Sequence, residues 1–231
     1  MPVLTLDSVD SELSLGRTWE VDEDGAMLHT PSGLRVSADE GVEVDGEVYR
    51  LDPRDIVING HLGVGSGGRV DWGTHTPTAN RVAVKTINAE TREKREQVLH
   101  EITGLIQATG CPYIVQWYAG YVDRGTGFVK VVMEYMDLGS LARLRGRLQG
   151  GGVPAEHVAC IAAQVVRGLQ HLQRRKLLHR DVKPENILHS RSGDVKLADF
   201  GISKEIRSSA GVLGSFKGTA VYMSPERASG R

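Results

Sequence analysis

The sequence predicts an α/β protein of the α+β kind, an antiparallel sheet interrupted by one helix, with a second helix and a short hairpin after it. Three observations carry this prediction. Short runs rich in β-branched and aromatic residues, divided by turn clusters, recur between Ile56 and Met133. Two stretches, 89–107 and 154–175, repeat apolar residues at helical spacing. Of the 231 residues, 40% are hydrophobic and 25% charged, with only two cysteines, which excludes a collagen, a wholly disordered chain and a disulfide scaffold.

Taken in order, residues 1–54 form an acidic extension. Residues 1–58 hold 14 Asp and Glu against 4 Lys and Arg, whereas the remainder holds 15 against 24. Gly, Asp, Glu and Ser recur there, and the short alternation from Gly41 to Tyr49 supports at most one hairpin in a partly disordered segment. From Ile56 the pattern changes. Runs at 56–58, 69–72, 81–84, 114–121 and 128–133 read as strands, with turn residues at 76–80 and 123–127 between them. Val98, Leu99, Ile102, Leu105 and Ile106 give the first helix its apolar stripe, and Gly110 and Pro112 stop it. Pro154 suits the first turn of the second helix, whose stripe runs from Val158 to Leu172. Ser192-Gly193 marks a hairpin turn.

No basic segment precedes an apolar run at the start, and no apolar stretch approaches the ~18 residues of a membrane span. Cys111 and Cys160 lack metal-ligand spacing and fit a reducing compartment, so the expected location is cytoplasmic.

Chemistry concentrates in four segments. Gly63-Val64-Gly65-Ser66-Gly67-Gly68-Arg69-Val70 lets backbone amides approach phosphate oxygens with no Cβ in the way. A strand pattern follows it rather than a helix, against a dinucleotide fingerprint, and no Gly-Lys-Ser/Thr ending makes it a P-loop. Val82-Ala83-Val84-Lys85 then places a lysine on an apolar strand, where it can point inward only toward an anion. Glu101, among the apolar residues of the first helix, is in the same position with the sign reversed. The two are read as a pair. In Leu178-His179-Arg180-Asp181-Val182-Lys183-Pro184-Glu185-Asn186-Ile187-Leu188, polar groups are presented between apolar anchors. Asp181 can accept a hydroxyl proton, Lys183 can neutralise a transferring phosphoryl group and Asn186 can bind a metal ion. Asp199, in Leu197-Ala198-Asp199-Phe200-Gly201, adds a carboxylate suited to Mg²⁺.

These four segments, in this order, resemble a protein kinase over residues 56–231. The resemblance implies a two-lobed fold, with a small antiparallel-sheet N-lobe at 55–136 holding one helix and a mostly helical C-lobe at 137–231. It implies ATP and Mg²⁺ in the cleft between them. ATP would lie against Leu62, the loop from Gly63 to Val70, Ala83, Lys85, Met133, Glu134, Met136 and Leu188. Glu101 would partner Lys85, Asp181 would be the base, Lys183 the loop lysine of Ser/Thr-type kinases, and Asn186 and Asp199 the metal ligands. Ser224-Pro225-Glu226 would close an activation segment beginning at Asp199.

Pro112-Tyr113-Ile114-Val115, the stretch from Met133 to Leu141 and Gly218-Thr219-Ala220-Val221-Tyr222-Met223-Ser224-Pro225-Glu226-Arg227 resemble the mitogen-activated protein kinase kinases. That resemblance implies a downstream protein kinase as substrate, phosphorylated on Ser/Thr and Tyr hydroxyls, an upstream activating kinase, and no nucleic acid. The alternatives are a Ser/Thr kinase one tier higher in such a cascade, or a truncated, catalytically incompetent nucleotide-binding fragment. Ser215, then Ser209 and Ser208, are the expected phosphosites, with Arg180 receiving the added charge. The chain stops five residues past Glu226, where the second helix would lose its cover, so a fragment of a longer protein is expected.

Overall fold

The structure, a computed structural model, describes residues 19–21, 26–29, 33–44, 46–65, 68–148, 152–199 and 220–225. Its centre is a five-stranded antiparallel sheet of β6 (Ile56–Gly65), β7 (Gly68–His75), β8 (Asn80–Ile87), β10 (Val129–Glu134) and β9 (Trp117–Val122), in that spatial order. The helix α1 (Arg92–Gln107) lies between β8 and β9 in the chain. Thr91 caps it by accepting a hydrogen bond from the Lys94 amide. Of the expected stripe, Val98, Leu99, Ile102 and Leu105 are buried and Ile106 is half-buried, and Gly110, at φ +87°, turns the chain away. Ile114, expected in a strand, instead makes a lone parallel bridge to Leu197.

Ahead of this sheet lies a difference from expectation. Where the alternation supported one hairpin, residues 19–49 form a second five-stranded antiparallel meander. It consists of β1 (Trp19–Val21), β2 (Met27–His29), β3 (Leu34–Val36), β4 (Val42–Val44) and β5 (Glu47–Tyr49). Each strand is three residues long, so each offers only one or two inward positions and the period-2 pattern hardly repeats. Those positions count nonetheless. Leu34, Val36 and Val42 have no exposed surface and share one core with Val98, Ile102, Trp117 and Val129.

After β10, a small sheet of β11 (Gly139–Ser140), β12 (Ile187–His189) and β13 (Val195–Leu197) joins the short helix α2 (Leu141–Arg147) and α3 (Ala155–Arg174). Gly168 lets α3 approach β13: a Cβ there would sit 2.9 Å from Leu197 Cδ1 and 3.0 Å from the Tyr113 carbonyl oxygen. The opposite face of α3 stays open, with Val158 49% and Val166 50% exposed. No helix among the described residues is long and apolar enough to cross a membrane.

Candidate active site

The glycine-rich segment is the β6–β7 hairpin. Gly63 pairs with Val70 and Gly65 with Gly68, while Ser66 and Gly67 at its tip lie outside the described residues. Gly68 has φ +135°, and a Cβ there would meet the Thr86 carbonyl oxygen at 2.0 Å, so no other residue fits. Arg69 turns outward onto the buried Asp71, at 2.8 and 2.9 Å, and Val64 is exposed.

Register then sets one face of the sheet. Lys85 stands opposite Val70 on β7 and Val131 on β10, and Ala83 stands opposite Trp72 and Met133. Directly opposed residues share a face, as do residues two apart on a strand, so Val70, Ala83, Lys85 and Met133 lie together below the hairpin. The Lys85 ammonium is 2.5 Å from Glu101 Oε1 and 2.7 Å from Asp199 Oδ1. Lys85 is 2% exposed. Burial alone would pull its pKa down, but the two carboxylates outweigh that and hold the ammonium above the usual lysine range. The sequence reading gave Lys85 one partner; the structure gives it two, from α1 and from the segment after β13.

The second cluster is the loop after α3. Lys183 Nζ lies 2.7 Å from Asp181 Oδ2. Asn186 Nδ2 donates to the Asp181 carbonyl oxygen at 2.9 Å and to Asp181 Oδ2 at 2.8 Å. The Asp181 amide donates to Nδ1 of the buried His179, and burial pushes the His179 pKa down. Arg180 and Asp199 both have positive φ, +62° and +52°, a backbone state that non-glycine residues adopt where the surroundings enforce it.

The β12–β13 register brings the two clusters together. Ile187 pairs with Leu197, and the Ala198 amide donates to the Asn186 carbonyl at 2.9 Å, so Asn186 and Asp199 emerge at the same end of the ladder. Both N–H donors of the Asn186 amide are engaged by Asp181, which turns its oxygen the other way. The Asp199 side chain is 28% exposed, with one oxygen on Lys85. One amide oxygen and one carboxylate are hard donors of the kind Mg²⁺ takes alongside phosphate and water, so this pair fits that ion.

Of the remaining expected contacts, Met136 is buried and Leu62, Val70, Met133 and Leu188 are half-buried. The Glu134 side chain turns from the cleft to Lys196, at 2.6 and 2.8 Å, and accepts from the Gln116 amide at 3.1 Å, while its own amide donates to the Gln116 carbonyl at 2.8 Å, so neither its carboxylate nor its N–H is left for a ligand. Lys196 was missed by sequence reasoning, as was Arg143, which reaches from α2 across to the Leu62 carbonyl oxygen at 3.3 Å. Ser208, Ser209, Ser215 and Glu226 lie outside the described residues.

A lysine clasped by two carboxylates under a glycine hairpin, beside an Asp-Lys-Asn cluster, is an arrangement for binding and transferring phosphate. The sequence profile of the protein kinase domain matches residues 56–231, and the chain belongs to that family. The relatives it resembles are mitogen-activated protein kinase kinases. The one named SIPKK from Nicotiana tabacum is 34% identical over 210 residues, covering 89% of this chain and 58% of the relative. Mitogen-activated protein kinase kinase 1c of Physcomitrium patens is 36% identical, covering 91% and 61%. Dual specificity mitogen-activated protein kinase kinase 1 of Dictyostelium discoideum is 37% identical, covering 78% and 27%. The chain thus spans about three-fifths of the first two relatives.

Proposed function

We propose that this chain carries the catalytic core of a mitogen-activated protein kinase kinase, which moves the γ-phosphate of ATP to Ser/Thr and Tyr hydroxyls of a downstream protein kinase. One observation carries the reading: the Lys85–Glu101 ion pair, joined to Asp199, beneath the Gly63–Val70 hairpin. The names of the relatives support the substrate class, and one of them is printed as dual in specificity. Residues 55–136 and 137–231 form the two lobes, and the enzyme works in the cytoplasm, where free thiols such as Cys111 and Cys160 persist.

In this reading Val70, Ala83, Met133 and Leu188 hold the adenine, with the backbone of Glu134 and Met136 along its edge. The hairpin amides and Lys85 hold the phosphates. Asn186 and Asp199 hold Mg²⁺, which when bound neutralises charge on the phosphate oxygens. The substrate hydroxyl oxygen attacks the γ-phosphorus, the bond to the β,γ-bridging oxygen breaks, and ADP leaves with that electron pair. The hydroxyl proton passes to Asp181, which Asn186 orients, and Lys183 offsets charge on the phosphoryl group in transit. Such a base contributes ~10²- to 10⁴-fold.

An upstream kinase switches the enzyme on by phosphorylating the segment 199–226, at Ser215 first, with Ser209 and Ser208 next. The added charge is received by Arg180, directly before Asp181. The test is transfer of label from γ-labelled ATP to an inactive mitogen-activated protein kinase, followed by phosphoamino-acid analysis. Label on Thr and Tyr, raised by the upstream kinase in wild type but not in Ser215→Ala, is expected. No label above a protein-free control sinks the proposal.

A further inference from the structure

The charged first half of α1 has no apolar residue before Val98, yet Glu101, near its middle, must stay on Lys85. We infer that the N-terminal sheet fixes this helix, with Trp19 as a positioning residue acting through Glu96. The inference rests on the kinase reading of Lys85 and Glu101.

The indole N–H of Trp19 donates to Glu96 Oε1 at 3.2 Å, across 77 residues of chain. Trp19 is itself held: it is 8% exposed and its ring lies 4.9 Å from that of His29. Behind it the sheet is docked on β9 by several independent means. The Val122 amide donates to the Ser37 carbonyl at 3.0 Å, Arg124 pairs with Asp39, and the Tyr49 and Trp117 rings meet edge-on at 4.4 Å. Gly120 on β9 leaves room for Val42, whose Cγ2 would lie 3.0 Å from a Cβ there. A mere tether needs none of this fit.

The sheet is therefore one rigid piece with β9, and Trp19 extends from it to the helix. Glu96 and Glu101 ride on the same α1, so a contact that fixes one limits the travel of the other. A slide of the helix by one residue's rise, about 1.5 Å, would stretch the 2.5 Å Lys85–Glu101 contact toward the edge of an ion pair. Residues 19–49 thus serve the phosphate site from outside it.

The experiment uses the full chain and three variants: Trp19→Phe, which deletes the indole N–H; Glu96→Leu, which deletes the acceptor; and Glu96→Gln, which keeps an acceptor oxygen. Amide hydrogen exchange through 98–101 should quicken roughly tenfold in the first two and stay within about twofold of wild type in the third. The turnover number for label transfer should fall with the exchange, while KM for ATP holds. Glu96→Leu leaves the sheet's core untouched, so it decides the matter if Trp19→Phe folds poorly. Unchanged exchange in α1 for Glu96→Leu, or a rise confined to residues 27–49 in Trp19→Phe, overturns the inference. A wild type that transfers no phosphate sinks the kinase reading instead, and leaves the exchange comparison standing.

Discussion

Lys85→Met should abolish phosphoryl transfer and also cost stability, because the structure surrounds the ammonium with two carboxylates. Methionine nearly matches lysine in volume, so the change opens no large cavity; it removes the cation and leaves Glu101, 12% exposed, facing Asp199. Breaking a buried pair in this way costs ~3–5 kcal/mol. Asp199 is 28% exposed and can turn to water, which places the loss near the lower end, about 3 kcal/mol. For a chain of this size that is a fall in Tm of roughly 6–12 °C. The pH dependence follows from Glu101. Burial already pushes its carboxyl above the ordinary 4.5, Lys85 opposes this, and Asp199 adds to it; without Lys85 the carboxyl rises further. A raised carboxyl contributes stability that is complete below its unfolded value and is lost as pH rises through its folded value. The deficit of Lys85→Met should therefore be small at about pH 5 and full at about pH 8. The double variant Lys85→Met with Glu101→Leu should recover most of the stability and none of the transfer, since an apolar pair replaces a broken ionic one. The assay is urea unfolding at both pH values beside label transfer. A Lys85→Met protein as stable as wild type at pH 8 would refute the clasp.

Two further outcomes are expected. Gly68→Ala forces a methyl onto the Thr86 carbonyl at a φ of +135° and should destabilise the hairpin by ~2 kcal/mol or more, with a matching loss of ATP affinity; unfolding and nucleotide titration check both. Burial lowers the His179 pKa, so its contribution to stability is present above the ordinary 6.5 and lost as pH falls through the folded value. Urea unfolding between about pH 8 and 5 should show a decline of at most ~1.4 kcal/mol per pH unit from this group, which His179→Asn removes.

Where a side chain's placement followed from local pattern, the sequence was readable. Lys85 at the end of Val82-Ala83-Val84 and Glu101 within an apolar stripe each required a partner, and they found one another. The same argument applied to Val195-Lys196-Leu197 would have found an inward lysine, whose partner is Glu134. What marked Lys85 out was the glycine loop before it, and Lys196 has no such neighbour. Arg143 could not be read, because its contact with Leu62 depends on how two distant elements face each other. The N-terminal sheet was hidden for another reason. Its three-residue strands carry too short a period to register, and their apolar residues share one core with those of β9 and α1, which lie far away in the chain.

The central claim is that Asp181 takes the proton in a phosphoryl transfer, and Asp181→Asn tests it most directly. Asparagine keeps the shape and can still meet Asn186 and Lys183, so binding of ATP should hold while proton acceptance is lost. Single-turnover transfer to an inactive mitogen-activated protein kinase should fall by ~10²- to 10⁴-fold, with ATP affinity within about twofold of wild type. Transfer by Asp181→Asn at the wild-type rate would contradict the account.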